Sequence, residues 1–262
     1  MKKTTYQIIT KKGIKDWEQK KAEEWGKNAD FWIKIIRGNL DPFRLVITNK
    51  AILESLKREE GLKILDAGCG EGYLCRILAR RKHRLSGIDF NPKLIAAAKK
   101  LEKEKTLGIE YFVGDFRKTN FPPSSFDAIL SHQTIHELEN PETALKEFYR
   151  ILKRKGRLIF LFLHPCFDFK PEDFKNTPLS LWYFNKVKIK KGSYSVGGIK
   201  SVSPYFYLHL PLSQWLNLLV KSGFSIVNVK EPHPSLRLIK KDKWWRQNFS
   251  RPRFILIEAL KN

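Results

Sequence analysis

The sequence predicts an α/β protein whose core is a parallel sheet, and two observations carry this prediction. Short apolar segments alternate with amphipathic, helix-like segments between residues 61 and 163. The first apolar segment, Leu62–Leu65, leads into Asp66 and then into three glycines at alternate positions. Strands that alternate with helices form parallel sheets with right-handed crossovers. Buried parallel strands are rich in apolar residues, and Leu62, Ile64 and Leu65 suit such a strand.

The glycine-rich stretch reads KILDAGCGEGYL from Lys63 to Leu74. Glycines let the backbone turn tightly and approach a ligand closely. A helix predicted from Glu71 to Arg81 would present unpaired N–H groups at its start, which suits a nucleotide-like ligand. The spacing is G-x-G-x-G, and Tyr73 stands where the dinucleotide fingerprint G-x-G-x-x-G requires glycine. A nicotinamide dehydrogenase is therefore disfavoured.

Four further segments follow in order: LSGID, IEYFVGD, FDAILSH and LKRKGRLIF, which begin at residues 85, 109, 126 and 152. Together with ILDAGCGEG, they make residues 62–163 resemble the class I S-adenosylmethionine (SAM) methyltransferases. The resemblance implies a Rossmann-like, seven-stranded, mostly parallel sheet with an antiparallel last strand and helices on both faces. It also implies SAM as the cofactor and S-adenosylhomocysteine as its product.

The elements outside the glycine loop have their own start and stop signals. Asn91 and Pro92 predict the N-cap and first turn of a helix that continues from Lys93 to Glu104. Pro141 starts another helix, and a third is predicted from Pro211 to Gly223. The last two strands are predicted at Phe224–Lys230 and Arg253–Leu260, and the resemblance makes them an antiparallel hairpin at the sheet edge.

The predicted SAM-binding core spans residues 61–262; one further region precedes it, and another is inserted within it. Residues 1–60 are predicted to be helical, with an aromatic stripe that either packs against the core or forms a lid over the cofactor. An insertion at 163–210 contains two strand-like segments and the turn signal Gly197-Gly198. It is predicted to be a hairpin cap that determines the substrate, with aromatic residues that either pack together or contact substrate.

The resemblance also assigns cofactor roles to individual residues. The glycines would line the methionine and ribose, Asp66 would orient the amino group, Asp89 would bind the ribose diol, and Arg44 would pair with the carboxylate or simply lie at a turn in water. Phe90 would lie against adenine, with Asp115 and the Phe116 N–H at its polar edge. The full set of expected cofactor-binding residues is Arg44, Asp66, Gly68, Cys69, Gly70, Gly72, Asp89, Phe90, Asp115, Phe116 and Ser131.

Methyl transfer is an in-line displacement in which the cofactor carries the reactivity, and an acceptor that loses a proton also needs a base. The candidate bases are His132 and His136, near the end of the fourth predicted strand, and His164, at the end of the fifth. Each histidine could equally serve a structural role. The candidate substrate contacts are Tyr183, Tyr194 and Tyr205. No metal site is expected, because no third ligand stands at a usable spacing from the histidines.

Composition adds weaker indications. The formal net charge is +23, and residues 164–262 hold 17 basic but only 6 acidic residues. The run from Lys240 to Arg246 mixes cations with tryptophans, as nucleic-acid-binding surfaces do, although solvated lysines explain it as well. The three cysteines form no C-x-x-C pair. The lack of a signal-peptide pattern and of a ~20-residue apolar run predicts a cytoplasmic protein; the oligomeric state is not indicated.

Three functions follow from these observations. The leading hypothesis is a methyltransferase that acts on a small, aromatic or amphipathic molecule. The second is an RNA methyltransferase, with tRNA as the example, that uses the basic C-terminal region for nucleic-acid or phosphate binding. The third is a SAM-binding protein without catalysis, which the intact glycines and acids disfavour.

Overall fold

The computed structural model describes residues 6–9, 17–57, 59–167, 183–192 and 194–262. Parts of two predicted regions lie outside this range: 1–5, 10–16 and 58 of the N-terminal region, and 168–182 and 193 of the insertion. The described strands are β1 Tyr6–Ile9, β2 Lys63–Ala67, β3 Arg84–Asp89, β4 Glu110–Val113, β5 Phe126–His132, β6 Leu152–Leu163, β7 Val187–Lys191, β8 Ser195–Val196, β9 Ile199–Lys200, β10 Tyr205–His209, β11 Phe224–Lys230 and β12 Phe254–Lys261.

Helices connect these strands. The α-helices are α1 Trp17–Lys27, α2 Ala29–Arg37, α3 Asn49–Ser55, α4 Tyr73–Ala79, α5 Pro92–Glu104, α6 Pro141–Ile151, α7 Leu212–Lys221, α8 Leu236–Lys241 and α9 Lys243–Asn248. A π-helical turn occupies Arg44–Thr48, and a 3₁₀ turn occupies Ile135–Glu137.

The main sheet has seven strands in the order β11-β12-β6-β5-β2-β3-β4. Strands β4, β3, β2, β5 and β6 pair in parallel, whereas β12 runs antiparallel to both β6 and β11. The predicted Rossmann-like, mostly parallel sheet with an antiparallel last strand is confirmed. Parallel strands place their carboxyl ends at one edge, and β2, β3 and β5 therefore bring their terminal residues together there.

Both faces of the sheet are buried, which explains the continuous apolar run of β6. Leu158, Phe160 and Phe162 pack into one hydrophobic cluster, with Trp215 of α7. Ile159 and Leu161 point to the other cluster, on the opposite face.

The predicted helix starts are confirmed at α5 and α6 but not after the glycine loop. The Asn91 side chain accepts hydrogen bonds from the backbone N–H groups of Lys93 and Leu94, and Pro92 occupies the first turn. The helix expected from Glu71 begins instead at Tyr73, because Gly72 has the left-handed φ of 78° and keeps the chain in the loop for two more residues.

The sequence pattern had predicted a helical N-terminal region, but this region also contains a strand. Strand β1 pairs antiparallel with β7 of the insertion, and β7 pairs in turn with β10. The resulting three-stranded sheet, β1-β7-β10, joins the start of the chain to the insertion through backbone hydrogen bonds. Ile189 of β7 is fully buried. A pairing of strands about 180 residues apart in the chain leaves no local periodic signal, so the helix-like pattern around it dominated the prediction.

Candidate functional site

The glycine loop between β2 and α4 uses its backbone N–H groups internally. Gly68 and Cys69 donate to the Ile88 carbonyl at 2.8 and 3.1 Å, and Gly70 donates to Asp89 Oδ2 at 2.9 Å. Gly72 donates to the Cys69 carbonyl at 3.0 Å. The N–H groups of all three glycines and of Cys69 thus already have acceptors within the protein. The loop can offer a ligand shape and backbone surface rather than these donors.

The three glycines of the loop face different surroundings. A Cβ on Gly68 would lie 2.2 Å from Thr134 Cγ2, and one on Gly72 would lie 2.3 Å from Tyr111 Oη. Gly70 also has a positive φ, of 55°, but a Cβ there would meet no atom within 4 Å. Protein packing therefore requires glycine at 68 and 72, whereas Gly70 faces open space of the kind that a bound molecule would fill.

Two buried acids lie beside this loop. Asp89 is 7% exposed, and its two oxygens accept from the backbone N–H groups of Gly70 and Asn91, each at 2.9 Å. Burial raises its pKa to about 6, against the effect of these two hydrogen bonds. Asp66 is 2% exposed and accepts from the Cys75 thiol at 3.4 Å. Burial raises the Asp66 pKa to about 7.

Arg44 provides a buried cation on the same side as Tyr73, the first residue of α4. Its Cζ lies 4.2 Å from the centre of the Tyr73 ring, and one Nη donates to the Ile36 carbonyl at 3.2 Å. Arg44 Nε is buried and has no hydrogen-bond partner among the described residues. A buried guanidinium with an unused N–H is suited to a carboxylate.

The residues expected near adenine are only partly free to bind it. Phe90 is 38% exposed at the end of β3. Asp115 forms a bidentate pair with Arg117, whose Nε and Nη2 lie 2.8 and 2.7 Å from Asp115 Oδ2. Phe116 is buried and packs on Phe148 with ring centres 5.7 Å apart. Its backbone, rather than its ring, is what could contact a ligand.

The loop after β5 is hydrogen-bonded to the end of β2, where the glycine loop begins. Thr134 Oγ1 donates to the Ala67 carbonyl at 2.9 Å, and Ser131 Oγ lies 2.9 Å from Thr134 Oγ1. Gln133 adopts a positive φ of 59°, and its N–H donates to the Leu161 carbonyl at 2.8 Å. His132 is half-buried, and burial together with the nearby Arg44 charge lowers its pKa to about 4. Ser131, His132 and the glycine loop thus meet at the carboxyl edge of the sheet.

The 3₁₀ turn that follows places His136 beside a buried acid, Glu137, that the sequence analysis missed. Trp25 Nε1 donates to Glu137 Oε2 at 2.5 Å, and Tyr205 Oη donates to Glu137 Oε1 at 2.7 Å. His136 Nε2 lies 3.1 Å from Tyr205 Oη. Burial raises the Glu137 pKa to about 8, whereas it lowers the His136 pKa to about 3. The position of Glu137 between the apolar residues Ile135 and Leu138 could have indicated that this acid is buried. Its hydrogen-bond partners, however, come from distant segments of the chain.

Of the candidate substrate contacts, the structure brings Tyr194 and Tyr205 together. Their ring centres lie 6.2 Å apart, and Trp25 lies 6.2 Å from Tyr205. Trp32 completes a closed circuit of rings, at 5.9 Å from Trp25 and 6.1 Å from Tyr194. These rings line a pocket, with Lys21 and Glu24, that has no room for a water molecule. Tyr183 lies elsewhere, with its hydroxyl 3.0 Å from Cys166 Sγ.

His164 has both ring nitrogens engaged within the protein. Its Nδ1 accepts from the Cys166 N–H at 3.2 Å, so the ring proton is on Nε2, which lies 2.9 Å from Glu231. Burial lowers the His164 pKa. This arrangement suits a residue that orders the end of β6 better than one that accepts a proton from substrate.

In the basic run from Lys240 to Arg246, Trp244 is 42% exposed, whereas Trp245 is part of the protein's packing. Trp245 is 5% exposed and packs against Phe43, with ring centres 5.7 Å apart. Asp242 caps α9 by accepting from the Trp244 N–H at 2.7 Å. Lys240 and Lys241 remain exposed.

Across the part of the chain that the structure describes, no group of three His, Cys, Asp or Glu side chains is arranged to hold a metal. No helix in that part has both the length and the apolar character to cross a bilayer.

Comparisons with known proteins agree with this geometry. Residues 65–160 match a family described as a methyltransferase domain. The chain is 34% identical over 118 residues to the demethylmenaquinone methyltransferase of Thermotoga maritima, a match that covers 44% of this chain and 50% of the relative. It is 28% identical over 142 residues to the ubiquinone biosynthesis O-methyltransferase of Coxiella burnetii, covering 53% of this chain and 56% of the relative. The chain thus spans about half the length of these two relatives.

The fold has solved counterparts. The SAM-dependent methyltransferase of Mesorhizobium loti superposes with a TM-score of 0.64 at 25% identity, over 80% of this chain and 96% of that one. The segment that matches the methyltransferase-domain family, residues 65–160, begins within β2 and contains the glycine loop, Asp89 and the whole of β3, β4 and β5. The chain therefore carries a class I S-adenosylmethionine-dependent methyltransferase domain, and S-adenosylmethionine is its cofactor.

Proposed function

We propose that the protein transfers a methyl group from SAM to a hydroxyl group of a small aromatic molecule. The observation that carries the proposal is the open space at Gly70. The Asp89 carboxylate borders this space, since it accepts from the Gly70 N–H. Bound SAM would supply an electrophilic methyl group on a sulfonium, and the protein would position the acceptor and remove its proton.

The cofactor roles of individual residues are part of this proposal. Asp89 would accept from the ribose hydroxyls through the lone pairs that its two backbone donors leave free. Arg44 would use its unpaired Nε for the carboxylate. Asp66 would act on the amino group from beneath the loop, next to Cys69. Phe90, Asp115 and the Phe116 N–H would border adenine, with Gly68, Gly72 and Ser131 completing the loop side.

The acceptor would enter between the N-terminal helices and the insertion. Tyr194 and Tyr205 of the insertion face Trp25 and Trp32 of the helices, and apolar aromatic walls suit an aromatic acceptor. The Coxiella burnetii relative is named a ubiquinone biosynthesis O-methyltransferase, which supports a hydroxyl as the acceptor. Because the rings are in contact, we propose that residues 1–60 and 163–210 act together as a cover that opens for substrate.

The other two hypotheses receive less support. Trp245, one of the tryptophans that suggested a nucleic-acid surface, packs against Phe43 instead of facing solvent. The curated relatives named above carry quinone-pathway names rather than RNA-related ones. We therefore propose neither an RNA substrate nor a SAM-binding protein without activity.

Calorimetric titration with S-adenosylhomocysteine tests the cofactor half of the proposal. Gly70→Ala adds a Cβ to the open space and should weaken binding at least about tenfold, since the methyl group would displace the ligand. Gly108→Ala is the matched control: Gly108 also has a positive φ, of 76°, and open space around it, but it precedes β4 at the opposite edge of the sheet. Equal loss in both variants would show that backbone strain, rather than ligand contact, explains the effect.

Methyl transfer itself is measured with methyl-labelled SAM and a panel of catechols, phenols and hydroquinones. The expected product is a labelled methyl ether, detected by mass spectrometry. Absence of S-adenosylhomocysteine binding, or transfer to amines but to no hydroxyl compound, would contradict the proposal.

A further inference from the structure

Glu137 is a buried carboxylate held by side chains from two other parts of the chain. It is 5% exposed and lies in the 3₁₀ turn after β5. Trp25 of α1 and Tyr205 of β10 each donate to one of its oxygens, at 2.5 and 2.7 Å. Burying a carboxylate is unfavourable unless its oxygens are satisfied, and such costs are typical of functional sites.

The hydrogen-bond directions around Tyr205 determine the tautomer of His136. The Tyr205 hydroxyl has one proton, and the hydroxyl donates it to Glu137 Oε1. Its oxygen must then accept from His136 Nε2, 3.1 Å away, so that nitrogen carries the ring proton. His136 Nδ1 consequently has a lone pair.

That lone pair is unused within the described structure. His136 is 3% exposed, and its Nδ1 is buried with no hydrogen-bond partner among the described residues. Phe162 and Tyr207 pack against the ring, at centre distances of 6.2 and 6.4 Å. A buried acceptor without a donor costs free energy, which a substrate hydroxyl would recover.

The 3₁₀ turn also lies next to the cofactor loop. Thr134, two residues before His136, donates to the Ala67 carbonyl and lies against Gly68. The chain of hydrogen bonds therefore begins near the proposed reacting centre and leads away from it, from His136 to Tyr205 to Glu137.

We propose that His136, Tyr205 and Glu137 form a proton relay for a phenolic acceptor, with Glu137 as the final proton acceptor; this inference rests on the proposed function. His136 is the catalytic residue that touches the acceptor hydroxyl. Tyr205 and Glu137 act through it.

The step balances in atoms and charge. An oxygen lone pair of the acceptor forms the new O–C bond, and the electron pair of the broken C–S bond stays on sulfur. The hydroxyl proton moves to His136 Nδ1, the Nε2 proton moves to Tyr205, and the Tyr205 proton moves to Glu137. The positive sulfonium and the negative carboxylate are both neutral at the end, which favours the reaction inside a buried site.

Several charged or titratable groups surround Glu137. Lys21 of α1 donates to the Glu137 carbonyl at 2.6 Å, and its charge lowers the Glu137 pKa, whereas Asp89 raises it. Tyr194, Tyr205 and His136 are the remaining titratable neighbours. Burial outweighs the lowering contributions, and the pKa of Glu137 is raised to about 8. Since the relay needs the ionised carboxylate, kcat should increase as the pH rises through this region.

The decisive experiment compares two acceptors in Glu137→Gln and Tyr205→Phe. Catechol keeps its hydroxyl proton at pH 7.5, whereas 4-nitrocatechol is largely ionised there and needs no base. We expect kcat for catechol to fall about 100-fold or more in both variants, the usual scale for general base catalysis. With 4-nitrocatechol, kcat should stay within about threefold of the wild-type value. In Glu137→Gln, the increase of kcat with pH should disappear.

Glu139→Gln is the matched control, because Glu139 lies two residues further on and pairs with Lys188 at 2.5 Å. It should leave both acceptors unaffected. S-adenosylhomocysteine affinity should be unchanged in all three variants, which also verifies folding. If Glu137→Gln does not fold, Tyr205→Phe, which removes a single oxygen, answers the question alone.

Nitrogen-15 NMR of labelled histidines tests the relay without turnover. The His136 signal, assigned with His136→Asn, should show the neutral tautomer protonated at Nε2 at pH 9, where the Glu137 carboxylate is ionised. A proton on Nδ1, or an equal kcat loss with both acceptors, would overturn the relay. So would a kcat for catechol that stays within threefold of wild type. Failure of the proposed function looks different: the wild-type protein would then methylate neither acceptor.

Discussion

Asp89 and Glu137 are both buried carboxylates at the carboxyl edge of the sheet, but the chain satisfies them in opposite ways. Asp89 accepts from two backbone N–H groups, those of Gly70 and Asn91, which are 19 and 2 residues away. Glu137 accepts from two side chains, those of Trp25 and Tyr205, which are 112 and 68 residues away.

The comparison separates the cofactor side of the site from the acceptor side. On the cofactor side, the glycine loop and Asp89 come from adjacent loops of the core, so their contacts form when β2 and β3 pair. The acceptor side is complete only when α1 and β10 both pack onto the turn that carries Glu137. Strand β1 and the insertion share a sheet, which couples these two packing events.

The largest expected effect concerns Gly68, where the two sides touch through Thr134. Gly68→Ala should lower the free energy of unfolding by about 2–5 kcal/mol, from the left-handed φ of 83° and from the 2.2 Å approach to Thr134 Cγ2. Urea unfolding measures the loss. Thr134→Ser in the same chain removes Cγ2 and should restore part of it, whereas Gly108→Ala should lose only the contribution of backbone strain. Equal losses at 68 and 108 would contradict the close contact.

A smaller effect is expected when the cofactor-side carboxylate is neutralised. Asp89→Asn should weaken SAM binding by about 1–3 kcal/mol, or roughly 5- to 150-fold, the scale of a lost hydrogen bond to a charged group. Calorimetry measures the affinity. Glu110→Gln, a substitution at an exposed position of β4, is the control, and Glu137→Gln should leave SAM affinity unchanged. If Glu137→Gln weakened SAM binding as much as Asp89→Asn, the two sides would not be separable.

The smallest expected effect is a pH dependence of the free energy of unfolding, caused mainly by Glu137 on the acceptor side. Because the folded-state pKa of Glu137 is raised to about 8, the folded protein holds a proton that the unfolded chain has released. Stability should therefore fall as the pH rises from 6.5 to 8, by about 1–2 kcal/mol at most. Asp66 contributes in the same direction, with a pKa raised to about 7. The buried histidines have lowered pKa values and act in the opposite direction, mainly below pH 6.5, where the unfolded chain would protonate them.

Urea unfolding at both pH values should show a weaker dependence in Glu137→Gln than in wild type or in Glu139→Gln. The charged or titratable neighbours of position 137 are the same in the wild type and in both variants: Lys21, Asp89, Tyr194, Tyr205 and His136. An unchanged slope in Glu137→Gln would mean that Glu137 is ionised throughout the window and that its burial is less costly than the structure indicates.

Prediction from sequence succeeded where a residue's partner lies close in the chain. Asn91 caps α5 through donors two and three residues away, and the prediction is confirmed. The helix after the glycine loop was placed two residues too early, because nothing in the residue types showed that Gly72 would remain in a left-handed conformation. The helical reading of the N-terminal region failed at β1, whose partner strand is distant.

The sheet, the glycine loop and the acid at the end of β3 could be predicted from local residue patterns, because strand periodicity, glycine spacing and caps depend on neighbours along the chain. Three features became visible only in the folded chain: Glu137 is buried, Tyr205 rather than Tyr183 lies beside it, and His164 pairs with Glu231. These outcomes depend on which distant segments pack together. That choice is made by the burial of whole elements, and no local pattern of residue types encodes it.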